Sequence, residues 1–414
     1  METTLVIGTD IAKKNHIARA FNFRGLELGK RCPFTNDLEG MKILLDWARD
    51  LQQKYGMKEI LIGVEPTGHY WFPMYYYMQQ KGIPVVLVNP HHVRKSKELD
   101  DNSPTKNDTK DARVIGKLVL DGRYTEPKLP EGVYAELRIL MNQSNRLNKD
   151  LTRTKGRIHN WLDRFFPEYT QVFKDWEGKA SLITLRCFPP PQDVVNAGEE
   201  HIAREWKKEV QRAVGLKRAQ LLVRTAQESI GITAGAKAAR MELAVLLEHY
   251  AMISRQIEEL MEQVEAELAL IPGAQAMLTM PCVGVKAVAG LYAEIGDLAG
   301  YAHPQQISRH AGLSLKENSS GQHKGETTIS KRGRSRLRAI LYQSVLVLVA
   351  KNPEFRAYHQ YLTTRRENPL KKKQLLIALC GKLVRILFKL GQKQQDYDAS
   401  KLLGPHLETQ LYAA

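Results

Sequence analysis

Four carboxylates carry the chemistry that this chain can do. Asp10 closes the run Leu-Val-Ile-Gly-Thr-Asp, Glu65 closes Ile-Leu-Ile-Gly-Val-Glu, and Asp108 and Asp111 stand three apart in Asn-Asp-Thr-Lys-Asp-Ala. A short apolar run ending on an acid delivers the carboxylate to the edge of a sheet rather than burying it uncompensated. On a helix or its first turn, Asp108 and Asp111 share one face and repel each other. A divalent cation between them removes that cost, and Mg²⁺ takes oxygen ligands of this kind. The simpler alternative is that the two acids cap a helix N-terminus, where the macrodipole favours negative charge. For an isolated Asp-x-x-Asp the cap wins; beside Asp10 and Glu65 the balance moves to a metal site suited to cutting phosphodiesters.

The elements that must position these acids are legible. Strands are expected over Leu5 to Asp10, Ile17 to Phe23 and Leu26 to Phe34, with Arg24-Gly25 as a tight turn. Met41, Leu44, Leu45, Ala48 and Leu51 have helical spacing, followed by a buried strand Ile60 to Glu65, a helix over Tyr70 to Gln80 and a strand Val85 to Val88. Gly82 and Pro84 punctuate the last of these turns. Three strands in succession, then alternating helix and strand, is the order of a ribonuclease-H-like α/β sheet, which brings carboxylates onto neighbouring central strands. Residues 100–110 read as polar and turn-rich, and a helical pattern resumes at Ala112, Val114, Ile115, Leu118 and Leu120.

From Glu131 the pattern becomes helical. Leu137, Leu140, Ser144, Leu147, Leu151, Thr154, Ile158 and Trp161 form one heptad-like seam. Leu243, Leu246, Tyr250, Ile253, Ile257, Leu260 and Val264 form a second. The two predict long paired helices, either as a hairpin within the chain or as a coiled coil between subunits. Between them, 167–235 reads as an insertion whose role is open. The division expected is 1–126, 127–270 and 271–414.

The chain's 414 residues exceed one ordinary core, and its net charge of +16 favours a polyanionic partner, nucleic acid first. No apolar run approaches the roughly 20 residues of a membrane span, and the sequence opens directly on a strand, so a cytoplasmic or nucleoid location is expected. Cys32, Cys187, Cys282 and Cys380 are scattered without metal-ligand spacing. Phosphate-binding glycine loops of the nucleotide-driven enzymes are absent from the sequence. In the last third, Pro281-Cys282-Val283-Gly284 leads into an Ala-rich helix whose N-terminus suits a phosphate, or a close-packed helix pair. Lys331, Arg332, Arg334, Arg336 and Arg338 place five cations in eight residues, and Arg365, Arg366, Lys371, Lys372 and Lys373 add two further runs. Contact with nucleic-acid phosphates is the better reading of this charge than a merely solvated face.

These residues resemble a known family. Gly8-Thr9-Asp10, Val64-Glu65-Pro66-Thr67-Gly68-His69-Tyr70, Asn89-Pro90 and Asp108-Thr109-Lys110-Asp111-Ala112 are similar to the RuvC-like N-terminal domain of DEDD transposases, the insertion-sequence recombinases related to Piv-type DNA invertases. The turn Pro281 to Gly284, Ala311-Gly312-Leu313, Ser320-Gly321 and the run Ser330 to Arg338 resemble their C-terminal domain. Asn107 and Cys282 depart from the usual Thr and Gly, and neither removes a ligand. The resemblance implies α/β plus all-α architecture: a RuvC-like domain, a helical coiled-coil middle and a mostly helical C-terminal transposase domain. It implies that Asp10, Glu65, Asp108 and Asp111 bind Mg²⁺ or Mn²⁺ and that Ser320, with Ser319 as runner-up, attacks DNA to form a phosphoserine. Target and donor DNA, a structured guide RNA (the bridge RNA) that selects sites by pairing, and a dimer or tetramer are the implied partners. Two other readings stand beside it: a RuvC-like structure-specific endonuclease using water as nucleophile, and a nucleic-acid scaffold with a degenerate site.

Overall fold

A computed structural model of the protein describes residues 2–100, 108–210, 215–316, 319–320, 323–324, 327–365 and 369–401; the side chains of 98–100, 108–109, 319–320 and 323–324 lie outside the description. The chain divides into two units, Met1–Leu129 and Pro130–Ala414.

The first unit runs β1 (Thr4–Asp10), β2 (Asn15–Phe21), β3 (Glu27–Thr35), α1 (Leu38–Lys54), β4 (Glu59–Val64), α2 (Phe72–Gln80), β5 (Val85–Val88), α3 (Pro90–Asp100), α4 (Asp108–Leu120) and β6 (Tyr124–Thr125). Its sheet has the order β3-β2-β1-β4-β5-β6. The first three strands are antiparallel, β1, β4 and β5 are parallel, and β6 returns antiparallel to β5. That topology is consistent with a ribonuclease-H-like sheet. Leu5, Val6 and Ile7 are all fully buried, so β1 is covered on both faces. Leu5, Ile7, Ile60 and Ile62 join Leu44, Leu45 and Met74 on the side of α1 and α2, while Val6 and Val86 join Val93, Ile115 and Val119 on the side of α3 and α4.

Helix α3 was not expected from hydrophobic periodicity. Its start is set by Asn89 and Pro90: the Asn89 side chain accepts a hydrogen bond from the His91 amide at 2.9 Å, and Pro90 supplies a fixed φ in the first turn. Helix α4 begins at Asp108, inside the stretch read as turn-rich, and residues 101–107 lie outside the described residues.

The second unit is helical apart from small ribbons: α5 (Val133–Phe165), α6 (Tyr169–Val172), α7 (Lys179–Cys187), α8 (Pro191–Glu209), α9 (Leu216–Gln227), α10 (Ala236–Ala269), α11 (Pro272–Leu278), α12 (Val285–Ile295), α13 (Pro304–His310), β7 (Leu315–Lys316), β8 (Ser319–Ser320), β9 (His323–Lys324), β10 (Thr328–Ile329), α14 (Ser335–Lys351), α15 (Pro353–Thr364) and α16 (Lys372–Lys393). The two seams are the facing stripes of α5 and α10, which pair within the chain. Trp161 Nε1 donates to the Ala239 carbonyl at 2.9 Å, while Leu137 and Met141 share a core with Val264 and Leu268, so the pair is antiparallel. The seams thus bury themselves in a hairpin, and a coiled coil between subunits is not needed to account for them.

Two cores occupy the ends of this hairpin. Helices α6–α9 pack with Trp161, Phe166 and Leu243 around the buried Tyr169 and Trp206. The polar atoms of those aromatics are satisfied, Trp206 Nε1 by Thr184 Oγ1 at 2.9 Å and the Tyr169 hydroxyl by Ser181, so the region 167–235 is a packed helical cap on the hairpin. At the other end α11–α16 close on Leu137, Val264 and Leu268 around Tyr292, Leu341, Leu379 and Leu383.

Candidate metal site and nucleic-acid interface

A glycine notch seats the helix that carries the third and fourth acids. Gly8 of β1 lies opposite Gly63 of β4 in the parallel ladder. A Cβ at Gly8 would sit 2.1 Å from the Ala112 carbonyl oxygen and 2.3 Å from the Gly116 nitrogen; one at Gly63 would sit 2.3 Å from Val119 Cγ2. The backbone of α4 therefore rests directly on β1, an approach that only residues without side chains permit. Gly116 completes the notch, since a Cβ there would meet the Phe21 ring at 2.5 Å.

Strand alternation then fixes where the acids go. Positions two apart share a face, so Asp10 is on the face of Gly8 and Glu65 on the face of Gly63, the face that α4 covers. The register pairs Thr9 with Val64, so Asp10 and Glu65 follow side by side where the two strands end. Asp111 is in the first turn of α4, one residue before the contact at Ala112. Asp108 opens that turn, and its side chain lies outside the described residues. All three described acids are partly buried.

The electrostatics of this corner are those of crowded carboxylates. Burial pushes the Glu65 carboxyl above its ordinary range, the charge of Lys97 opposes that shift, and the charge of Asp111 adds to it. Lys97, from α3, sets Nζ 2.5 Å from Asp111 Oδ2. Among the described residues no group of three or more His, Cys, Asp or Glu is gathered as closely as a metal ion requires. Lys97 was not singled out by the sequence reading, because α3 itself was not; the signal was the Asn-Pro helix start, which implies a helix delivering side chains beside the sheet edge.

The loop leaving Asp10 is pinned. His16 is buried in β2, its Nδ1 accepts the Ala12 amide at 3.1 Å, and burial lowers its pKa.

In the second unit the motifs at 311–313 and 330–334 form one structure. The Arg334 amide donates to the His310 carbonyl at 2.8 Å, the Lys331 amide to Gly312 at 3.1 Å and the Ser330 amide to Ser314 at 2.8 Å. Gly312 has a φ of 69°, and a Cβ on Gly333 would lie 2.4 Å from the His310 oxygen. Those glycines clamp the base of a ribbon in which β7 pairs with β10; β8 and β9 form a second two-stranded ribbon, Ser320 opposite His323. The backbone of Ser320 is thereby placed on this ribbon; the side chains of Ser319 and Ser320, and all of Gly321, lie outside the described residues.

The basic run divides in two. Arg334 pairs with Glu294 at 3.3 Å, Arg338 Nη1 donates to the Ala311 carbonyl at 2.7 Å, and Arg336 donates to Asn142. Lys331 and Arg332 are exposed on the turn, and Lys331 has a φ of 53°. Lys371, Lys372 and Lys373 are exposed at the start of α16, Arg365 is partly exposed after α15, and Arg366 lies outside the described residues.

A larger basic face went unread in the sequence. Helix α16 contains Lys372, Lys373, Lys382, Arg385, Lys389 and Lys393 and no acid. The last four recur at steps of three and four residues along one side, and Lys382 Nζ lies 5.0 Å from the centre of the Tyr358 ring. They border a cavity of about 220 Å³ that is also lined by Tyr397, Lys401 and, from beyond the helix, Asp396 and Asp398. A solvated helix normally intersperses acids at i+4, as α10 does with Arg255 and Glu259. The missing acids were the signal.

The C-terminal turn also explains a departure. Cys282, where the family resemblance leads one to expect Gly, has a φ of 67°, a conformation that glycine adopts without cost.

Comparison with known proteins supplies the rest. A family model described as transposase, of the DEDD IS110 type, matches residues 7–167, and a second, described as transposase of the IS116/IS110/IS902 family, matches residues 274–360. An uncharacterized 44.8 kDa protein of insertion element IS116 from Streptomyces clavuligerus is 24% identical over 93% of this chain and 94% of its own length. The pilin gene-inverting protein of Moraxella bovis is 22% identical over 95% of this chain and 97% of its own. The transposase for insertion sequence element IS1111A of Coxiella burnetii is 22% identical over 96% and 92%. With one transposase model over the glycine notch and its acids, and the other over the helices around the ribbon, the chain carries transposase domains of the IS110/IS116/IS902 family, and its activity is the cutting and rejoining of DNA.

Proposed function

We propose that this transposase cuts and rejoins DNA through a phosphoserine on Ser320, assisted by a divalent-metal site at Asp10, Glu65, Asp108 and Asp111. The observation that carries the metal half is the seating of α4 on Gly8 and Gly63, which sets Asp111 over the strand ends bearing Asp10 and Glu65. The donors suit a hard cation: they are all carboxylates, Glu65 is desolvated, and the Asp111 charge beside it already draws in an ammonium. These four residues would hold Mg²⁺ or Mn²⁺, which would supply Lewis-acid stabilisation of charge developing on the phosphate oxygens.

On this reading the Ser320 Oγ gives up its proton and forms a bond to phosphorus. The bridging P–O bond breaks and its oxygen takes up a proton. In the second half a hydroxyl of another DNA end attacks the phosphoserine and expels Ser320, so bonds made and broken balance without nucleotide hydrolysis. Ser320 and the acids belong to different units of the chain. A homo-oligomer, dimer or tetramer, in which one subunit's ribbon serves another's metal site fits that division. The exposed Lys331, Arg332 and Lys371 to Lys373, together with the acid-free face of α16, hold DNA phosphates, while a structured guide RNA selects the sites by base pairing.

The test is direct. Cognate DNA, Mg²⁺ and the protein yield a protein–DNA adduct that survives SDS, lost in Ser320→Ala and retained in Ser319→Ala. Cleavage that persists in Ser320→Ala with free 5′-phosphate ends and no adduct replaces the serine with water. Ribonuclease treatment before DNA is added abolishes the adduct if RNA selects the site; undiminished adduct after complete RNA digestion removes the guide from the reading.

A further inference from the structure

Resting on that reading of the metal site, we infer that Lys97 is a built-in cation of the reaction, holding Asp111 until a divalent metal arrives and then turning to a non-bridging oxygen of the scissile phosphate. Three observations lead here. The Lys97 Nζ lies 2.5 Å from Asp111 Oδ2, within a corner that also contains the partly buried Glu65. Its side chain is 35% exposed against 18% for Asp111, so the ammonium lies on the solvent side of the carboxylate, open to an incoming anion. Lys97 and Asp111 sit on α3 and α4, which pack against each other within the first unit, so the ammonium is held by the same pair of helices that carries the acid.

The chemistry follows from charge. Asp111 cannot give the same oxygen at full strength to an ammonium and to a dication, and the two cations repel each other. Loading the carboxylates therefore releases Lys97 with its charge intact, and the nearest new anion is the substrate phosphate. A flexible four-carbon stem ending in a compact charge suits such a move; a planar guanidinium, fixed by its fork, suits it less. When phosphorus becomes five-coordinate, its non-bridging oxygens gain charge, and a cation aimed there lowers the barrier.

The experiment uses the full-length chain and Lys97→Met, with Lys97→Arg as the charge-conserving partner and Asp111→Asn as the reference for the site. Mn²⁺ binding without DNA is read by electron paramagnetic resonance. Lys97→Met binds Mn²⁺ at least about threefold more tightly than the natural protein, the scale of a partly exposed ion pair. At saturating Mn²⁺ the same variant forms the DNA adduct about 100-fold more slowly, as when one preorganised donor to a developing oxyanion is removed. Lys97→Arg recovers part of the rate. The Lys97→Met penalty vanishes on a methylphosphonate substrate, which lacks the charged oxygen. Tighter metal with slower chemistry is a combination that simple loss of structure does not give. Mn²⁺ affinity unchanged or weakened in a Lys97→Met protein of normal melting temperature overturns the inference, as does tighter metal with an unchanged rate. If Asp111→Asn binds Mn²⁺ like the natural protein, the carboxylate reading itself fails.

Discussion

Replacing Gly8 with alanine probes the link between fold and site. The added Cβ would be 2.1 Å from the Ala112 oxygen and 2.3 Å from the Gly116 nitrogen, where non-bonded carbon and oxygen ordinarily stay about 3.3 Å apart. Both obstructing atoms are backbone, so no rotamer change relieves them. Strand β1 is held on both sides, by β2 and β4, so α4 has to lift by about 1 Å. Overpacking of this kind costs about 1–3 kcal/mol, which lowers the melting temperature of the first unit by roughly 5 to 15 °C. The larger effect is on chemistry: Asp111 precedes Ala112 by one residue, and a displacement of about 1 Å in a reacting constellation costs about 100-fold in rate. The assay is adduct formation with Mg²⁺ at a temperature where circular dichroism shows the variant folded. Gly63→Ala is the comparison. Its added Cβ clashes with the Val119 side chain, at 2.3 Å, and meets Ile115 only at ordinary contact distance, so Gly63→Ala with Val119→Ala recovers both stability and rate, whereas no truncation rescues Gly8→Ala. A Gly8→Ala protein with natural melting temperature and adduct yield would refute the seating of α4 on β1 as the device that places Asp111.

Three further outcomes are expected. Burial lowers the pKa of His16, whose Nδ1 accepts the Ala12 amide, below the usual value near 6.5. The unfolded chain then binds more protons between those two values. Stability is fully present above about pH 6.5 and falls as pH drops through the folded pKa, by at most about 1.4 kcal/mol per unit, and His16→Gln flattens a melting curve series between pH 7.5 and 5. Gly156 lies inside α5 with open space where its Cβ would be, so Gly156→Ala raises the melting temperature of the second unit, by about 0.5–1 kcal/mol in stability; a lower value in calorimetry would contradict the helix there. Removing Arg385 and Lys389 together lowers the slope of log affinity against log salt for a generic 30-base-pair duplex by about 2, and an unchanged slope takes the α16 face out of the DNA interface.

The sheet was readable because each strand carries its own signal. β1 and β4 are apolar runs ended by an acid, and the observed Thr4–Asp10 and Glu59–Val64 differ from the reading by a residue or so at their ends. Helix α1 followed from Met41, Leu44, Leu45, Ala48 and Leu51, all of them buried. Helix α3 escaped because Pro90-His-His-Val-Arg-Lys-Ser-Lys has a single core residue, Val93, and one apolar position makes no period. With α3 went Lys97. The seams were seen as helices, but the choice between hairpin and intersubunit pairing is a matter of which faces meet, and that depends on the helical cap at 167–235, whose core draws on residues scattered from Ile158 to Leu247. The pairing of Arg334 with Glu294 and of Arg338 with Ala311 was invisible for a related reason: a run of cations states its charge, not whether its own protein consumes it.

The two readings first set against each other for Asp108 and Asp111, cap or metal site, are compatible with one backbone geometry. Helix α4 begins at Asp108, so both residues occupy its first turn, where free amides carry a positive partial charge. The same first turn is brought to the ends of β1 and β4 by the glycine notch, beside Glu65, whose carboxyl is already pushed up by burial and by the Asp111 charge. Carboxylates this close call for positive charge nearby. The helix N-terminus and Lys97 supply it within the protein. On the proposed metal reading, the positive helix terminus and Lys97 would offset part of the carboxylate repulsion before a dication arrives. On this account the choice of Asp rather than Glu at 111 matters: the shorter side chain keeps its charge within the first turn, and Asp111→Glu should lose Mn²⁺ affinity even though it conserves charge.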